Sequence, residues 1–344
     1  MTRQAIDQLL SGGNFPDEPG RPVLTETHIS WVLLGQRFAY KIKKPIRYPF
    51  LDFSTLEKRK RCCEREILLN RRLTADLYLD VVPVRLLAGK WFVGGEGGEV
   101  ADYAVRMRRA DSGRQMDVLL RKGRVTWEDI RRLAQKIAVF HASADILYDK
   151  DALGIRAQFR ELGAEGRYLG EELSADYRAI IGHALDVSDR FVETHKELLE
   201  ERLESGFFRD CHGDLHTRNI FLLSSPQPFD CIEFNDDYRQ MDVLNEVAFL
   251  CMDLDAFGRK DFSDFFLACY GQFSPAIRND QDRILFIYYK SYRANVRAKV
   301  NSLRARSAAG GEEKKQALGE AARYLLLMDG YIREIDQLTA LASK

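Results

Sequence analysis

The spacing of apolar and polar positions divides the chain into a strand-rich first part and a mostly helical second part. Up to residue 108, short runs rich in β-branched and aromatic residues alternate with turn residues, a pattern typical of an antiparallel sheet. The predicted strands are 23–34 and 37–43, which meet in a hairpin, followed by 81–87, 91–93 and 100–107. The pattern therefore predicts an α+β fold class with its main sheet near the N-terminus.

Helical periodicity dominates the rest of the chain, and two helices are also predicted within the first part. These two span 1–11 and 54–73, the latter opening with the capping box Ser54-Thr-Leu-Glu57. The later predicted helices begin at Thr126 and then span about 175–204, 242–256, 261–273, 280–303 and 312–341, with a flexible connection over 303–313. Short strands are predicted at 208–210, 220–223 and 231–234. A cleft between such a strand-rich lobe and a helical lobe is a common location for a ligand site.

Composition and charge describe an ordinary globular protein. Hydrophobic residues make up 45% of the chain and charged residues 30%, and 52 Lys and Arg balance 52 Asp and Glu. A formal net charge of zero does not support general binding to nucleic acid or to a membrane surface. The N-terminus lacks the apolar core of a secretory signal, and no apolar run approaches the ~18 residues of a membrane span. We therefore expect a soluble, cytoplasmic protein that binds neither nucleic acid nor membranes.

The cysteines form no CxxC pair and fall mostly in apolar or helical stretches. They are Cys62, Cys63, Cys211, Cys231, Cys251 and Cys269. Because metal-binding cysteines usually recur at short, regular spacing, we expect reduced thiols and no zinc site.

The most informative stretch is 211–233, which reads CHGDLHTRNIFLLSSPQPFDCIE. Asp214 is followed five positions later by Asn219 and, after a second short apolar run, by further carboxylates. An aspartate can accept the proton of an attacking hydroxyl, and an asparagine and a carboxylate offer the hard oxygen atoms that Mg²⁺ prefers. The stretch therefore predicts a phosphoryl-transfer site. The alternative is that Asp214 merely caps a turn, because His-Gly-Asp is turn-prone.

The segment HGDLHTRN at 212–219 resembles the catalytic loop of the aminoglycoside phosphotransferase and choline kinase-like enzymes, relatives of the protein kinases. The wider chain, over roughly residues 25–255, also resembles uncharacterised bacterial proteins that carry such a domain. The resemblance implies a two-lobed protein kinase-like fold with ATP and Mg²⁺ in the cleft. The implied lobes are a nucleotide-binding lobe with a small antiparallel sheet, residues 1–108, and a larger helical lobe, 109–344, with the catalytic loop and the acceptor site.

The resemblance also assigns roles within the loop. Asp214 would be the catalytic aspartate that orients and deprotonates the acceptor hydroxyl, and Asn219 would bind the metal. His212 is expected to hold the loop through hydrogen bonds of its ring. His216 lies where protein kinases often carry a lysine directed at the transferred phosphate, so it is a second catalytic candidate, with a plain loop histidine as the alternative.

The second metal ligand departs from the usual pattern of the resembled enzymes. Relatives usually show Asp in an Ile-Asp-Phe context, and aligning CIEF with it puts Glu233 at that position. Glu233 also lies fourteen residues after Asn219, close to the usual separation. We favour Glu233, with Asp230 as the competing candidate and Asp236 as a weaker one. The glutamate also raises the alternative of an impaired or altered enzyme.

In the first part of the chain, Lys41 resembles the strand lysine that contacts the nucleotide phosphates. Glu66 resembles the helix glutamate that holds this lysine in an ion pair, and Glu64 is the fallback partner. Lys41 and Lys43 lie on one face of the predicted strand because side chains alternate along it. The alternative for Lys41 is an exposed strand lysine, since Lys43 and Lys44 are its neighbours.

Other parts of a nucleotide site are harder to identify. The glycine-rich segment 94–99 matches neither GxxxxGK[ST] nor GxGxxG and is predicted to be a hairpin tip. No clear glycine-rich loop precedes Lys41, so the turn at 25–30 would have to cover the phosphates. Met107, at the end of a predicted strand, would form the hinge that pairs with adenine, with a plain edge strand as the alternative.

Two further groups complete the predicted site. Asp242 and Glu246 lie where the resembled enzymes carry acidic residues that brace the catalytic loop. Arg293 and Arg297, followed by Lys299, lie on a helix that in such folds can approach the cleft, which would suit an anionic substrate. The alternative for these basic residues is a solvated helix face.

The sequence thus predicts an ATP- and Mg²⁺-dependent phosphotransferase that acts on a hydroxyl group of a small molecule. Two alternatives belong to other classes. One is a catalytically weak, nucleotide-binding regulatory protein, and the other is a protein kinase, against which the absence of recognisable activation-loop segments argues.

Overall fold

The structure is a computed structural model that describes all residues except 17, 19, 49, 50, 75, 309, 343 and 344, and for 339–342 the backbone alone. The chain forms two compact units. One consists of Met1–Leu119 and Arg218–Arg239, and the other of Leu120–Thr217 and Gln240–Lys344. The boundary between the units therefore falls within the catalytic-loop motif 212–219, since Asp214 belongs to the second unit and Asn219 to the first.

The order of elements confirms a strand-rich beginning and a helical remainder. The strands are β1 Val23–Glu26, β2 Ser30–Leu34, β3 Phe38–Lys43, β4 Arg47–Tyr48, β5 Leu51–Asp52, β6 Tyr78–Leu87, β7 Lys90–Val93, β8 Glu99–Arg108, β9 Phe208–Asp210, β10 Ile220–Leu222, β11 Pro226–Pro228 and β12 Gln240–Asp242. The helices are α1 Arg3–Gly12, α2 Leu56–Asn70, α3 Met116–Arg121, α4 Trp127–Ser143, α5 Ile155–Arg160, α6 Gly166–Glu172, α7 Ala175–Thr194, α8 Lys196–Glu204, α9 Val243–Ala256, α10 Lys260–Phe273, α11 Asp280–Ser307 and α12 Gly311–Ala342.

The first unit is built on an antiparallel sheet with the strand order β1-β2-β3-β8-β6-β7. One apolar cluster joins this sheet to α1, and its members include Ile6, Leu9, Leu33, Tyr40 and Ile42. A smaller cluster joins the sheet to α2 and comprises Cys63, Ile67, Tyr78 and Val105. Because side chains alternate along β3, its even-numbered residues serve the first cluster and its odd-numbered lysines point towards α2.

The second unit is mainly helical. Helix α11 packs against α12 and α9, and α10 packs against α4 and α9. Every residue of α9 from Val243 to Leu254 is buried, as expected for a helix that other helices surround. The short antiparallel pair β9 and β12 lies directly before the catalytic loop and before α9, respectively.

Several predicted elements are confirmed closely. Thr126 caps α4 in a capping box with Asp129, and α2 begins after Thr55, one residue later than the predicted cap. The glycine-rich segment is a hairpin tip between β7 and β8, where Gly94 and Gly98 have φ angles of 77° and 71°. Glycine adopts this left-handed backbone without the steric penalty that a side chain brings.

Two strand predictions are wrong. Residues 231–234 form a loop, and the strand that pairs with β10 is β11. In this loop Cys231 is buried and Ile232 and Phe234 are half-buried, so its apolar residues are partly covered without sheet pairing. The predicted strand 23–34 is divided into β1 and β2 by a turn in which Thr27 N–H donates to Ser30 O at 2.9 Å.

The helical predictions differ from the structure mainly at their ends. The predicted helix 175–204 is divided into α7 and α8 at His195. Helix α11 continues to Ser307, into the connection predicted to be flexible, of which residue 309 lies outside the described residues. Sequence reasoning missed α3, α5 and α6, which are each too short to show a clear helical period.

The six cysteines are free thiols, and all but Cys62 are buried. Within the part of the chain that the structure describes, no helix is both long and apolar enough to cross a lipid bilayer.

Candidate active site

Two lysines of β3 share one glutamate of α2. Lys41 Nζ lies 2.8 Å from Glu66 Oε1, and Lys43 Nζ lies 2.7 Å from Glu66 Oε2. Burial raises the pKa of Glu66, but the two ammonium groups outweigh this effect and lower it to about 2. The predicted ion pair between Lys41 and Glu66 is therefore present. The fallback partner Glu64 lies instead 3.7 Å from Lys60.

Each lysine also donates to a carboxylate in the segment that follows β11. Lys41 Nζ donates to Asp230 Oδ1 at 2.5 Å, and Lys43 Nζ donates to Glu233 Oε1. The five groups form a row of alternating charge in the order Asp230, Lys41, Glu66, Lys43 and Glu233. Buried charges are tolerated where each is paired and hydrogen-bonded, and this row provides that pairing.

The two carboxylates of this segment differ in exposure. The side chain of Asp230 is 43% exposed, whereas that of Glu233 is 3% exposed. Burial raises the pKa of Glu233, although the charge of Lys43 opposes the effect. Asp236, the third candidate, pairs with Arg239 at 2.8 Å. Asp230 therefore keeps an oxygen that a hydrated cation could reach, and the choice between Glu233, which the sequence favours, and Asp230 as the metal ligand stays a prediction.

Side chains of α2 and β6 hold the segment that carries Asp230. Asp230 N–H donates to the Tyr78 hydroxyl oxygen at 3.1 Å, and Cys231 N–H donates to Asn70 Oδ1 at 2.9 Å. Asp230 has a φ angle of 64°, in the left-handed region that costs a residue with a side chain roughly 1 kcal/mol. Such a conformation persists only where the surroundings hold it, and these hydrogen bonds do so.

A hairpin connects the two candidate metal ligands of the first unit. Asn219 lies directly before β10, and Asp230 lies two residues after β11, which pairs with β10 in antiparallel fashion. Asn219 O accepts from Phe229 N–H at 2.9 Å, and the rings of Phe221 and Phe229 stack with centroids 4.5 Å apart. Because the open ends of a hairpin are adjacent, the sequence brings Asn219 and Asp230 to the same edge of the unit.

Asp214 lies in the second unit, with a side chain that is 36% exposed. Its Oδ2 atom lies 3.3 Å from His216 Nε2, which in turn lies 3.3 Å from Arg297 Nη1. Burial raises the pKa of Asp214, but His216 and Arg297 outweigh this effect and hold it well below its usual value. Asp214 therefore stays ionised and can accept a hydrogen bond from a hydroxyl group. The ring of His212 accepts from Asp214 N–H at 3.2 Å, which confirms its predicted structural role.

Glu246 of α9 braces the loop that carries Asp214. Its Oε1 accepts from His212 N–H at 2.7 Å and from Gly213 N–H at 2.6 Å. Its Oε2 lies 2.7 Å from His141 Nε2, and the other ring nitrogen of His141 lies 2.8 Å from the Tyr270 hydroxyl oxygen. The predicted brace is confirmed for Glu246.

The prediction that Asp242 also braces the loop is wrong. Its Oδ1 accepts from Leu244 N–H at 2.9 Å and so caps α9, and its Oδ2 accepts from Arg202 Nε at 2.6 Å. Both Asp242 and Arg202 are buried. Asp242 therefore has a structural role, as the sequence predicts, but it stabilises the beginning of α9 instead of the catalytic loop.

His141, Cys211 and Glu246 bring ligand atoms within 4.8 Å of one another in buried surroundings. Because both ring nitrogens of His141 and both oxygens of Glu246 already have hydrogen-bond partners, their proximity is explained without an ion.

Sequence reasoning missed a second brace, Asp253. Its Oδ2 accepts from Thr217 N–H at 2.9 Å and from Thr217 Oγ1 at 2.6 Å, and its Oδ1 accepts from the Tyr324 hydroxyl at 2.7 Å. A signal was available, because Asp253 lies seven residues after Glu246 in a mostly apolar helix. That separation puts both carboxylates on one helix face.

Two other contributors, Lys43 and Asn70, were also missed as functional residues. The sequence places Lys43 on the same strand face as Lys41 but gives it no role of its own. Asn70 lies four residues after Glu66, so the helical period gave a signal for it as well. Its Nδ2 donates to Glu66 O at 2.8 Å, while its Oδ1 accepts from the segment of Asp230.

Arg293 and Arg297 of helix α11 are buried, which excludes the alternative of a solvated face for these two residues. Arg293 Nε donates to Asn245 Oδ1 at 2.7 Å, and its guanidinium lies 4.7 Å from the ring centroid of Phe249. Arg297 contacts His216, as described above, and its guanidinium lies 5.4 Å from the ring centroid of Tyr324. Their proposed contact with a substrate stays a prediction.

The remaining nucleotide-site candidates lie in the first unit. Met107 is the penultimate residue of β8 and pairs with Ala39 and with Tyr78. The predicted turn near 25–30 is present between β1 and β2, where Ser30 N–H donates to Thr27 Oγ1 at 2.9 Å. Their roles at adenine and at the phosphates stay predictions.

The chain is similar in sequence to uncharacterised mycobacterial proteins. Relatives from Mycobacterium bovis and Mycobacterium tuberculosis are 33% identical to it over 327 residues, which is 92% of this chain. The match covers 61% of each relative, so the chain spans less than two thirds of their length. No protein-family model matches the chain.

The structure is similar to solved structures of small-molecule kinases. A choline/ethanolamine kinase family protein from Mesorhizobium loti matches with a TM-score of 0.54 at 13% identity, over 96% of this chain and 98% of that one. Choline kinase from Cryptosporidium parvum matches with a TM-score of 0.57 at 10% identity, over 93% and 92%. The aminoglycoside phosphotransferase APH(2″)-IIia, solved as a complex with GDP and kanamycin, matches with a TM-score of 0.51 at 12% identity, over 94% and 98%.

At these identities the similarity shows the fold. The predicted α+β, protein kinase-like fold is therefore confirmed, and the predicted resemblance to choline kinases and aminoglycoside phosphotransferases is confirmed for the fold of the chain. The boundary predicted between residues 108 and 109 stays a prediction.

Proposed function

We propose that the chain is an ATP- and Mg²⁺-dependent phosphotransferase that transfers the γ-phosphoryl group to a hydroxyl group of a small molecule. The observation that carries the proposal is the pairing in the first unit, where Lys41 contacts both Glu66 and Asp230 while Asp230 keeps an exposed carboxylate. A lysine oriented by a buried glutamate is suited to bind phosphate oxygens, and an adjacent exposed carboxylate is suited to hold a cation.

The residues present fit a magnesium nucleotide. Asp230 and Asn219 would hold Mg²⁺ through a carboxylate and an amide oxygen, which are ligand types that this ion prefers. Lys41 would bind the phosphates, and a bound Mg²⁺ would neutralise charge on them during transfer. Because the structural neighbour APH(2″)-IIia was solved with bound GDP, the test below includes a guanine nucleotide beside ATP.

Asp214 would position the acceptor. Its carboxylate stays ionised because His216 and Arg297 hold the pKa low, so it is a good hydrogen-bond acceptor and a weak base. In phosphoryl transfer the attacking oxygen forms little bond before the phosphoryl group leaves, so orientation of the hydroxyl matters more than early proton removal. The hydroxyl proton would pass to Asp214 Oδ1 or Oδ2 late in the reaction.

The assignment of Asp230 removes the main reason to suspect a weak enzyme. The alternative of a nucleotide-binding regulator was motivated by a glutamate at the metal position. With Asp230 as the ligand, an aspartate would hold the metal, although it lies three residues before the position that aligns with the usual one, and Glu233 is left to pair with Lys43.

The variant Asp214→Asn tests the assigned roles. We expect it to bind Mg²⁺-ATP or Mg²⁺-GTP within about twofold of the wild type, because its nucleotide ligands are unchanged. We expect consumption of the nucleotide with a pooled small-molecule extract to fall by roughly 10² to 10⁴, the usual contribution of such a group. Binding is measured by titration with a fluorescent nucleotide, and turnover is measured by release of the nucleoside diphosphate, ADP or GDP.

The matched control is Asp149→Asn, which changes an exposed carboxylate of the same unit and should leave both quantities unchanged. Full turnover by Asp214→Asn would show that the role of Asp214 is wrong. Magnesium-dependent binding without any turnover by the wild type would instead support the regulatory alternative.

A further inference from the structure

Lys43, the second lysine of β3, forms an ion pair with Glu233 in addition to the ion pair between Lys41 and Glu66. We infer that Lys43 and Glu233 are positioning residues that hold the segment carrying Asp230, and that Glu233 does not bind the metal. The inference rests on the proposed function, because it concerns how the proposed metal ligand is kept in place.

The charges of the row balance only when Glu233 is counted. Glu66 has two carboxylate oxygens, and one lysine occupies each of them. Lys43 has no exposed side-chain surface, so without a further carboxylate it would be a buried cation that shares its counter-ion with Lys41. Glu233 supplies that carboxylate.

The row would stay balanced when Asp230 binds a cation. The carboxylate of Asp230 would then contact the cation as well as Lys41. The other four groups of the row are two lysines and two glutamates. Their charges cancel because Glu233 is part of the row. Glu66 can therefore continue to orient Lys41 while Glu233 neutralises Lys43.

The backbone of Asp230 also depends on its neighbours. Its left-handed conformation needs support on both sides. Tyr78 and Asn70 hold the backbone at positions 230 and 231, and the pair of Lys43 with Glu233 ties position 233 to β3. Loss of this tie would let the segment relax away from the left-handed conformation and move the carboxylate of Asp230.

The test is a double-mutant cycle at positions 43 and 233 in the full chain. The readout is the MgCl₂ concentration that gives half-maximal binding of a fluorescent ATP or GTP analogue. We expect Lys43→Met and Glu233→Gln each to raise this concentration by roughly 10- to 100-fold, as loss of an orienting partner does at metal sites. The double variant should be no worse than the more affected single variant, because both changes remove the same interaction.

A conservative variant separates positioning from ligation. Glu233→Asp shortens the side chain by one methylene, so it should lose the contact with Lys43 and behave like Glu233→Gln. If Glu233 were the metal ligand, an aspartate would keep the magnesium requirement near that of the wild type, and the effects of Lys43→Met and Glu233→Gln would add. Either result would overturn the inference.

Two controls complete the experiment. Glu96→Gln changes an exposed carboxylate at the hairpin tip of the same unit and should leave the requirement unchanged. Thermal unfolding of each variant without ligand reports stability. If Glu233→Gln lowers only the unfolding temperature and leaves the magnesium requirement unchanged, the pair is merely structural and the inference is wrong. If the wild type itself shows no magnesium-dependent nucleotide binding, the proposed function fails. That result is distinct from additive effects of Lys43→Met and Glu233→Gln, which would overturn only the inference about the ion pair.

Discussion

At the scale of single residues, the candidate site depends on which carboxylates are paired and which keep an accessible oxygen. Each carboxylate oxygen of Glu66 pairs with one lysine, so Glu66 orients the two lysines and has no free oxygen for a ligand. Asp230 and Asp214 are each about two fifths exposed, and both have a basic partner. Exposure together with a basic partner is typical of groups that exchange a protein contact for a ligand.

The charge of Glu66 should be visible in the pH dependence of stability. Its pKa is about 2 in the folded chain against an ordinary value of 4.5, so its contribution is complete above pH 4.5 and is lost as the pH falls towards 2. The free energy of unfolding of the wild type minus that of Glu66→Gln should therefore shrink by about 2 kcal/mol between pH 6 and pH 3. Urea unfolding at the two pH values measures it.

The matched control for this measurement is Glu96→Gln, whose exposed side chain should change stability by less than about 0.5 kcal/mol at either pH. A difference between the wild type and Glu66→Gln that stays constant with pH would contradict the assignment of an ionised Glu66 between the lysines.

At the scale of elements, α9 organises the loop of Asp214. Glu246 accepts from the backbone at 212 and 213, and Asp253, two turns later, accepts from Thr217. Both carboxylates are buried, so the loop's backbone N–H groups have no competing water. Helix α2 has a corresponding role in the first unit, since Glu66 and Asn70 hold the lysines and the segment of Asp230.

Truncation of Glu246 tests the brace. Glu246→Ala leaves the N–H groups of His212 and Gly213 and the ring of His141 buried without their acceptor, and each such group costs about 1–3 kcal/mol. We expect a loss of at least about 3 kcal/mol in the free energy of unfolding, measured by urea denaturation, whereas Glu246→Gln should lose less because it keeps one acceptor oxygen.

The exposed Glu200→Gln in the same unit serves as the control and should have little effect. Equal losses for the alanine and glutamine variants would show that the hydrogen bonds to residues 212 and 213 do not carry the stability of the loop.

The elements that carry the site were predictable to different degrees. The hairpin of β2 and β3 and the helix of Glu66 follow from local periodicity, which the sequence contains. The pairing of Asp230 with Lys41 and of Glu233 with Lys43 does not, because it depends on a non-glycine residue in the left-handed region and on a second lysine of the strand. The segment 231–234 resembled a strand because partial burial and pairing in a sheet select the same apolar residues.

At the scale of the whole molecule, the fold was predictable from the catalytic-loop motif and the order of elements. The assignment of segment 218–239 to the strand-rich unit was not, because the chain passes from one compact unit to the other and back within a stretch that has no change of composition. The relatives in mycobacteria are longer than this chain, so the activity of those whole proteins is a separate question from the one proposed here.

The destination of the transferred phosphoryl group tests the proposed function most directly. The wild type, Asp214→Asn and Asp149→Asn are incubated with MgCl₂, γ-³²P-labelled ATP or GTP, and a cell extract separated into small molecules and proteins. We predict that the wild type and Asp149→Asn label a small molecule in the first fraction, and that Asp214→Asn does so at least about 10²-fold more slowly. Label that enters the protein fraction instead, or equal labelling by Asp214→Asn, would contradict a small-molecule kinase that uses Asp214.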